Sequence, residues 1–98
     1  MSAVVLLVEL KMEEGRQGDF IARVQRHREL VLANEPACQR FDIVAPDGAD
    51  DVVHLYEVYD DQEAVDHHMQ TDYMAAYRAD TASMVADRKI VTAALANE

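Results

Sequence analysis

The sequence predicts an α+β fold: a four-stranded antiparallel sheet with its helices gathered on one face. Three observations predict it. The first strand is apolar on both sides, the patterns along the chain alternate between strand and helix periods, and 98 residues leave room for one domain spanning residues 1–98. A chain this short hides a small share of its surface, so it draws on a partner for part of its core.

Each element has its own signal. Ala3 to Met12 places Val4, Leu6, Val8 and Leu10 on one side and Val5 and Leu7 on the other, as expected of a strand covered on both faces. Glu13-Glu14-Gly15 ends it. A helix over Gln17 to Asn34 follows, with Phe20, Val24, His27, Val31 and Asn34 on one stripe at 4-3-4-3 spacing. Arg23, Arg26 and Glu29 fall outside that stripe, where solvent can reach them, and Pro36 stops the helix. Cys38 to Ala45 reads as the second strand. Pro46-Asp47-Gly48 supplies turn chemistry, and Val52 to Tyr59 reads as the third strand of a hairpin.

Asp60 or Asp61 is placed to cap a second helix, with acids suited to its first turn. That helix directs Ala64, Val65, His68 and Met69 inward and breaks near Thr71-Asp72. A third helix is expected from Tyr73 to Ala86, with Tyr73, Tyr77 and Met84 on one stripe, and a last strand from Lys89 to Leu95. The order is βαββααβ, a ferredoxin-like arrangement once short connections and right-handed crossovers are imposed. One sheet face is then bare although its strands are apolar. A second copy packed sheet to sheet covers such a face, so a homodimer through the open face is expected.

Composition narrows the function. Nine Lys+Arg stand against 19 Asp+Glu, a formal charge of −10, and no basic stripe exists to neutralise phosphates, so neither nucleic acid nor an anionic membrane is an expected partner. Cys38 is the sole cysteine, which removes internal disulfides and cysteine-based zinc sites. No run approaches the roughly 20 apolar residues of a membrane span, and the expected location is the cytoplasm.

The candidate chemistry lies in histidines, acids and tyrosines. His27 sits among apolar residues of its stripe, as a core histidine or as a base or donor in a pocket wall. His54 lies on the strand face of Val52, Tyr56 and Val58, suited to a sheet surface or dimer interface. His67 and His68 diverge by about 100° on a helix and cannot share a metal; His68 points inward and His67 to solvent. Glu57 shares the face of Val53, Leu55 and Tyr59, where a buried carboxylate needs a partner. If that face looks to the helices, Glu57 is placed to pair with His68 and raise its basicity; otherwise it is an exposed strand glutamate. Tyr73 and Tyr77 are hydroxyl donors for the same cavity, or core aromatics. No metal site is expected.

Glu35-Pro36-Ala37-Cys38-Gln39-Arg40-Phe41-Asp42, Tyr56-Glu57-Val58-Tyr59, and Ala64-Val65 leading to His68 and Thr71 together resemble the antibiotic biosynthesis monooxygenase family. The resemblance implies a dimeric α/β barrel of ferredoxin-like subunits. Similar members include cofactor-independent quinol monooxygenases and the isomerase of the phosphorylated autoinducer-2 signal. Family positions match at Glu57 and His68. Ala37 replaces a glycine, and Thr71-Asp72-Tyr73-Met74 replaces Thr-Pro-His-Phe, so the second histidine is absent. The isomerase-like histidine of the first helix falls nearer Glu29 than His27. The chain has no tryptophan, which sets it apart from haem-degrading relatives.

The resemblance implies a monooxygenase of quinol-type or related aromatic or enolisable small molecules, needing neither metal nor flavin. His68 is the expected base and Glu57 its orienting partner. His27, Asn34, Phe41, Tyr73 and Tyr77 are the expected substrate-binding wall. Two alternatives stand beside it: an isomerase of a small carbonyl compound, and a non-catalytic small-molecule binding domain.

Overall fold

A computed structural model describes residues 2–97. Its elements are β1 (Val4–Met12), α1 (Gln17–Asn34), β2 (Cys38–Val44), β3 (Val52–Tyr59), α2 (Gln62–Met69), α3 (Asp72–Thr81) and β4 (Val85–Ala94). The strands form one antiparallel sheet in the order β2-β3-β1-β4. The expected ferredoxin-like order is therefore present, with β1 inside the sheet and β4 on its edge.

Alternation along β1 divides the molecule into two faces. Leu6, Val8, Leu10 and Met12 are buried with Phe20, Val24 and Val31 of α1. Val5 turns the other way and packs with Ala3 and Val58 in a small separate cluster. On that second face Leu7 pairs with Tyr56 on one side and Val91 on the other, while Glu9 pairs with His54 and Lys89. Leu7 and Val91 are each 44% exposed. The sheet is thus covered by helices on one face and bare on the other, as its two-sided apolar first strand implies.

Local chemistry sets most boundaries. Gly15 adopts φ +74° in the turn after β1, a conformation that side-chain-bearing residues avoid. No side chain caps α1. Instead the Gln17 amide donates to the Ala49 and Val52 carbonyls at 3.0 and 2.9 Å, fastening the helix start to the hairpin. Asp61 Oδ1 accepts from the Ala64 N–H at 2.9 Å and caps α2, and Thr71 Oγ1 accepts from the Met74 N–H at 3.2 Å and caps α3.

Three expectations are corrected. The stripe of α1 buries Phe20, Val24, His27 and Val31 but stops there. Asn34 is exposed and donates back to the Leu30 carbonyl at 2.8 Å; the helix ends at this point and Glu35 turns inward in its place. The third helix ends at Thr81 and the last strand begins at Val85, well before the expected Lys89. Nothing in Ala82 to Ala86 breaks a helix locally. Pairing of Val85 with Met12, and the Glu13 N–H donating to the Met84 carbonyl at 2.8 Å, outweigh the propensity. Arg23 is also drawn out of solvent: its Nε donates to Asp80 at 2.8 Å and its guanidinium lies over the Tyr77 ring.

Leu10 is fully buried at the centre of the helix-side core. Leu10→Ala is expected to lower the unfolding free energy by about 2–5 kcal/mol, read as a shift in urea midpoint at constant slope.

Candidate active site

The helix-covered side of β3 carries Val53, Leu55, Glu57 and Tyr59 in succession. Glu57 stands opposite Leu6 of β1 and Phe41 of β2 and is only 4% exposed, so the exposed alternative for it is excluded. From above, α2 lowers His68, 1% exposed, onto the same place. The two residues meet, with His68 Nε2 at 3.9 Å from Glu57 Oε1. That separation is an ion-pair distance, too long for a hydrogen bond.

The hydrogen bond that orients His68 comes from a residue the sequence reading passed over. Glu35, between the end of α1 and Pro36, is 4% exposed. Both of its carboxyl oxygens lie 3.1 Å from His68 Nδ1, and the Tyr73 hydroxyl donates to Glu35 Oε2 in a short contact. The Tyr59 hydroxyl donates to Glu57 Oε1 at 2.6 Å. His68 thus stands between two buried acids, each tied to a tyrosine. The signals were present: a glutamate locked against a proline at a helix end, and a tyrosine two residues after Glu57 on the same strand face.

Beside this group lies a narrow cavity of about 20 Å³, room for a single water-sized group. His27, Phe41, Glu57, His68 and Tyr77 all line it, with Leu6, Val8 and Leu55 as its floor. Its outer part is made by Met69, Ile90, Arg78 and Arg88; Met69 and Ile90 are 39% and 41% exposed. Two expected wall residues fall elsewhere. Tyr73 stands behind Glu35 as its hydrogen-bond donor, and Asn34 faces solvent.

His27 stacks on Tyr77 with ring centroids 4.3 Å apart and planes 14° from parallel. It meets Phe41 edge-on at 5.7 Å and the His68 ring at 5.5 Å. Its Nδ1 is buried without a hydrogen-bond partner. Burial, with His68, Arg23 and Arg78 adding to it, lowers this imidazole to about 4, so it is neutral at physiological pH. Burial pushes the Glu57 carboxyl above its ordinary range, while Tyr59 and His68 pull the other way. The Tyr59 hydroxyl is raised by burial and by the adjacent Glu57, and the Cys38 thiol is raised by burial to about 11, which leaves it unreactive. His54 lies on the open face and His67 is exposed, away from the cavity. Among the described residues no group of three or more His, Cys, Asp or Glu side chains has metal-holding geometry.

The family model for antibiotic biosynthesis monooxygenases matches residues 3–80. The chain belongs to that family. Among solved structures it is similar to candidate antibiotic biosynthesis monooxygenases of Caulobacter crescentus and Nitrosomonas europaea, each 23% identical with a TM-score of 0.91. The match covers 96% of this chain and 90% of the first of those, and 97% and 91% for the second. A conserved protein of Methanosarcina mazei matches with a TM-score of 0.87 at 14% identity, over 95% of this chain and 92% of its own. At such identities the likeness concerns the fold. No curated protein matches the chain. Within the family match, Glu35, Glu57 and His68 converge on one buried group, whereas the site where a second histidine is absent holds Tyr73.

The depressed His27 imidazole makes a signed prediction. Unfolded, His27 takes a proton near 6.5; folded, it resists protonation until about 4. Its contribution is complete above pH 6.5 and is lost as the pH falls towards 4, by up to about 3 kcal/mol. Glu57 has the opposite sign, so the comparison must be between variants. His27→Phe is expected to show a shallower loss of unfolding free energy than the parent between pH 7 and 4.5, measured by urea titration.

Proposed function

We propose that this family member is a cofactor-independent monooxygenase acting on quinol-type or related aromatic or enolisable small molecules, with His68 as its base. The observation that carries the reading is a histidine with its Nδ1 held against the buried Glu35 and its Nε2 3.9 Å from Glu57, beside a cavity that His68 and Glu57 both line. In this reading Glu35 accepts from Nδ1–H, which puts the ring proton there. Nε2 then presents its lone pair to a substrate hydroxyl. The resulting imidazolium is stabilised by Glu35, which Tyr73 keeps in position.

Removing the hydroxyl proton makes the substrate anion electron-rich enough to reduce oxygen. Addition of oxygen at a ring carbon gives a hydroperoxide, and loss of water from it leaves one oxygen atom as a carbonyl. The protein's share is deprotonation, orientation and exclusion of bulk water. His27 and Tyr77 offer a neutral ring nitrogen and a hydroxyl to position the substrate. One observation favours a second reading, the isomerase: Glu57, raised by burial and 3.9 Å from His68, would be a second proton-handling group beside the base, and such a pair would move a proton next to a carbonyl without oxygen.

Oxygen uptake with a panel of quinols tests the choice. His68→Ala is expected to lower the rate by about 10²- to 10⁴-fold, and Glu35→Gln by about 10- to 100-fold. Glu35→Gln should also move the acidic limb of the pH–rate profile. No uptake with any quinol by folded protein overturns the oxygenase reading, and turnover under anaerobic conditions selects the isomerase.

The reading includes a homodimer of this single domain, closed through the bare sheet face. What supports it is the row Tyr56, Leu7 and Val91 across three adjacent strands, with Leu7 and Val91 44% exposed, a patch that a second copy would bury. Leu7→Lys together with Val91→Lys is expected to convert a dimer to a monomer in sedimentation velocity. Unchanged sedimentation would place the interface elsewhere.

A further inference from the structure

Resting on the reading of this cavity as the active site, we propose that its mouth is a subsite for a fixed anionic substituent of the substrate, a carboxylate or phosphate held between the Arg78 and Arg88 guanidiniums.

The chain carries an excess of ten acidic groups, and Lys11, Arg16, Arg23 and Arg40 each sit within 4 Å of an aspartate. Arg78 and Arg88 do not. Among the described residues neither makes an ion pair with a carboxylate, although both line the cavity that holds His27, Glu57 and His68. They are half-buried, unlike Arg26 and Lys89, which stand free in solvent. The Nε of Arg78 is buried with no hydrogen-bond partner. Arg88 stands opposite Leu10 on β4 and so faces the helix side, towards α3, which carries Arg78.

Two like charges lining one cavity and partly dehydrated are costly unless something neutralises them. Burial and the neighbouring Arg78 together press on the Arg88 guanidinium and lower it from its ordinary range. A planar carboxylate or a phosphate answers both guanidiniums with paired N–H donors. The acids nearest the cavity cannot do so: Glu57 is occupied by Tyr59 and Glu35 by Tyr73 and His68. An anionic tail bound there would direct the reacting ring inward towards His27 and His68, into a cavity of about 20 Å³ that has to widen to admit it.

Calorimetric titration of the full chain tests this with matched pairs: benzoate against benzyl alcohol, and phenyl phosphate against phenol. At least one anion is expected to bind about tenfold or more tightly than its neutral counterpart. Arg88→Gln, on an edge strand, should erase the preference without altering the melting temperature by more than a few degrees, and Arg88→Lys should retain part of it. Arg78→Lys should likewise retain part. Inorganic phosphate should bind more weakly than phenyl phosphate; equal affinity would mean a site for the free ion and overturn the subsite. Equal or absent binding of both members of each pair, or a preference that survives Arg88→Gln, also overturns it, as does a carboxylate from a second copy found on both guanidiniums. Anion preference without oxygen uptake from any quinol would sink the oxygenase reading alone, and oxygen uptake without anion preference would sink the subsite alone, so the two readings fail separately.

Discussion

The arrangement depends on a single buried acid. Glu35 has no solvent to satisfy it, so its oxygens must be answered from within the protein. The answers come from two other elements: His68 of α2 at 3.1 Å and Tyr73 of α3. The end of α1, the inner face of α2 and the start of α3 are thereby pinned to one another at a single point. Pro36 holds the glutamate at this junction by denying the helix another turn. The cap of α3 by Thr71, three residues after His68, completes the same corner, since the Thr71 hydroxyl also donates to the His68 carbonyl at 2.9 Å.

The consequence is electrostatic as well as mechanical. A histidine between two acids has one nitrogen committed and the other directed to the cavity, a division that only a third element can impose. Glu57 lies beyond hydrogen-bond reach of that ring at 3.9 Å and is fixed instead by Tyr59. The two acids therefore hold separate positions around one imidazole. His27, stacked on Tyr77 and kept neutral by burial, adds a polar atom without adding a charge. Such a site can accept a developing anion in a low-dielectric space where charge interactions are strong.

The order of elements along the chain, the strand face that Glu57 shares with Val53, Leu55 and Tyr59, and the inward turn of His68 were legible, because strand alternation and helix spacing report directly on which side of an element a residue lies. That this strand face meets the helices is decided by packing. Asn34 was misplaced for the same reason: the stripe was continued through a helix end, where periodicity no longer applies. Glu35 stands within its motif without announcing a role, since a glutamate at a helix terminus looks solvated until tertiary structure closes over it. Arg78 and Arg88 carried no local signal, being separated by a helix end and a turn whose path is set by strand pairing. The early start of β4 was hidden likewise, because the choice between helix and strand at Ala82 to Ala86 is made by β1.

These features converge on β1. Its residues alternate between the floor of the cavity, at Leu6 and Val8, and the bare face, at Val5 and Leu7, so the site and the proposed interface are separated by the thickness of one strand. Packing is as dense as a crystal's in such a layer, and pressure on one face is transmitted to the other. A partner seated over Leu7 and Val91 would stiffen the strands bearing Glu57 and Arg88 from behind. It would do so without touching the cavity, whose mouth faces the helices. A covered bare face would then support the cavity side of the sheet by limiting how far the edge strand that carries Arg88 can move.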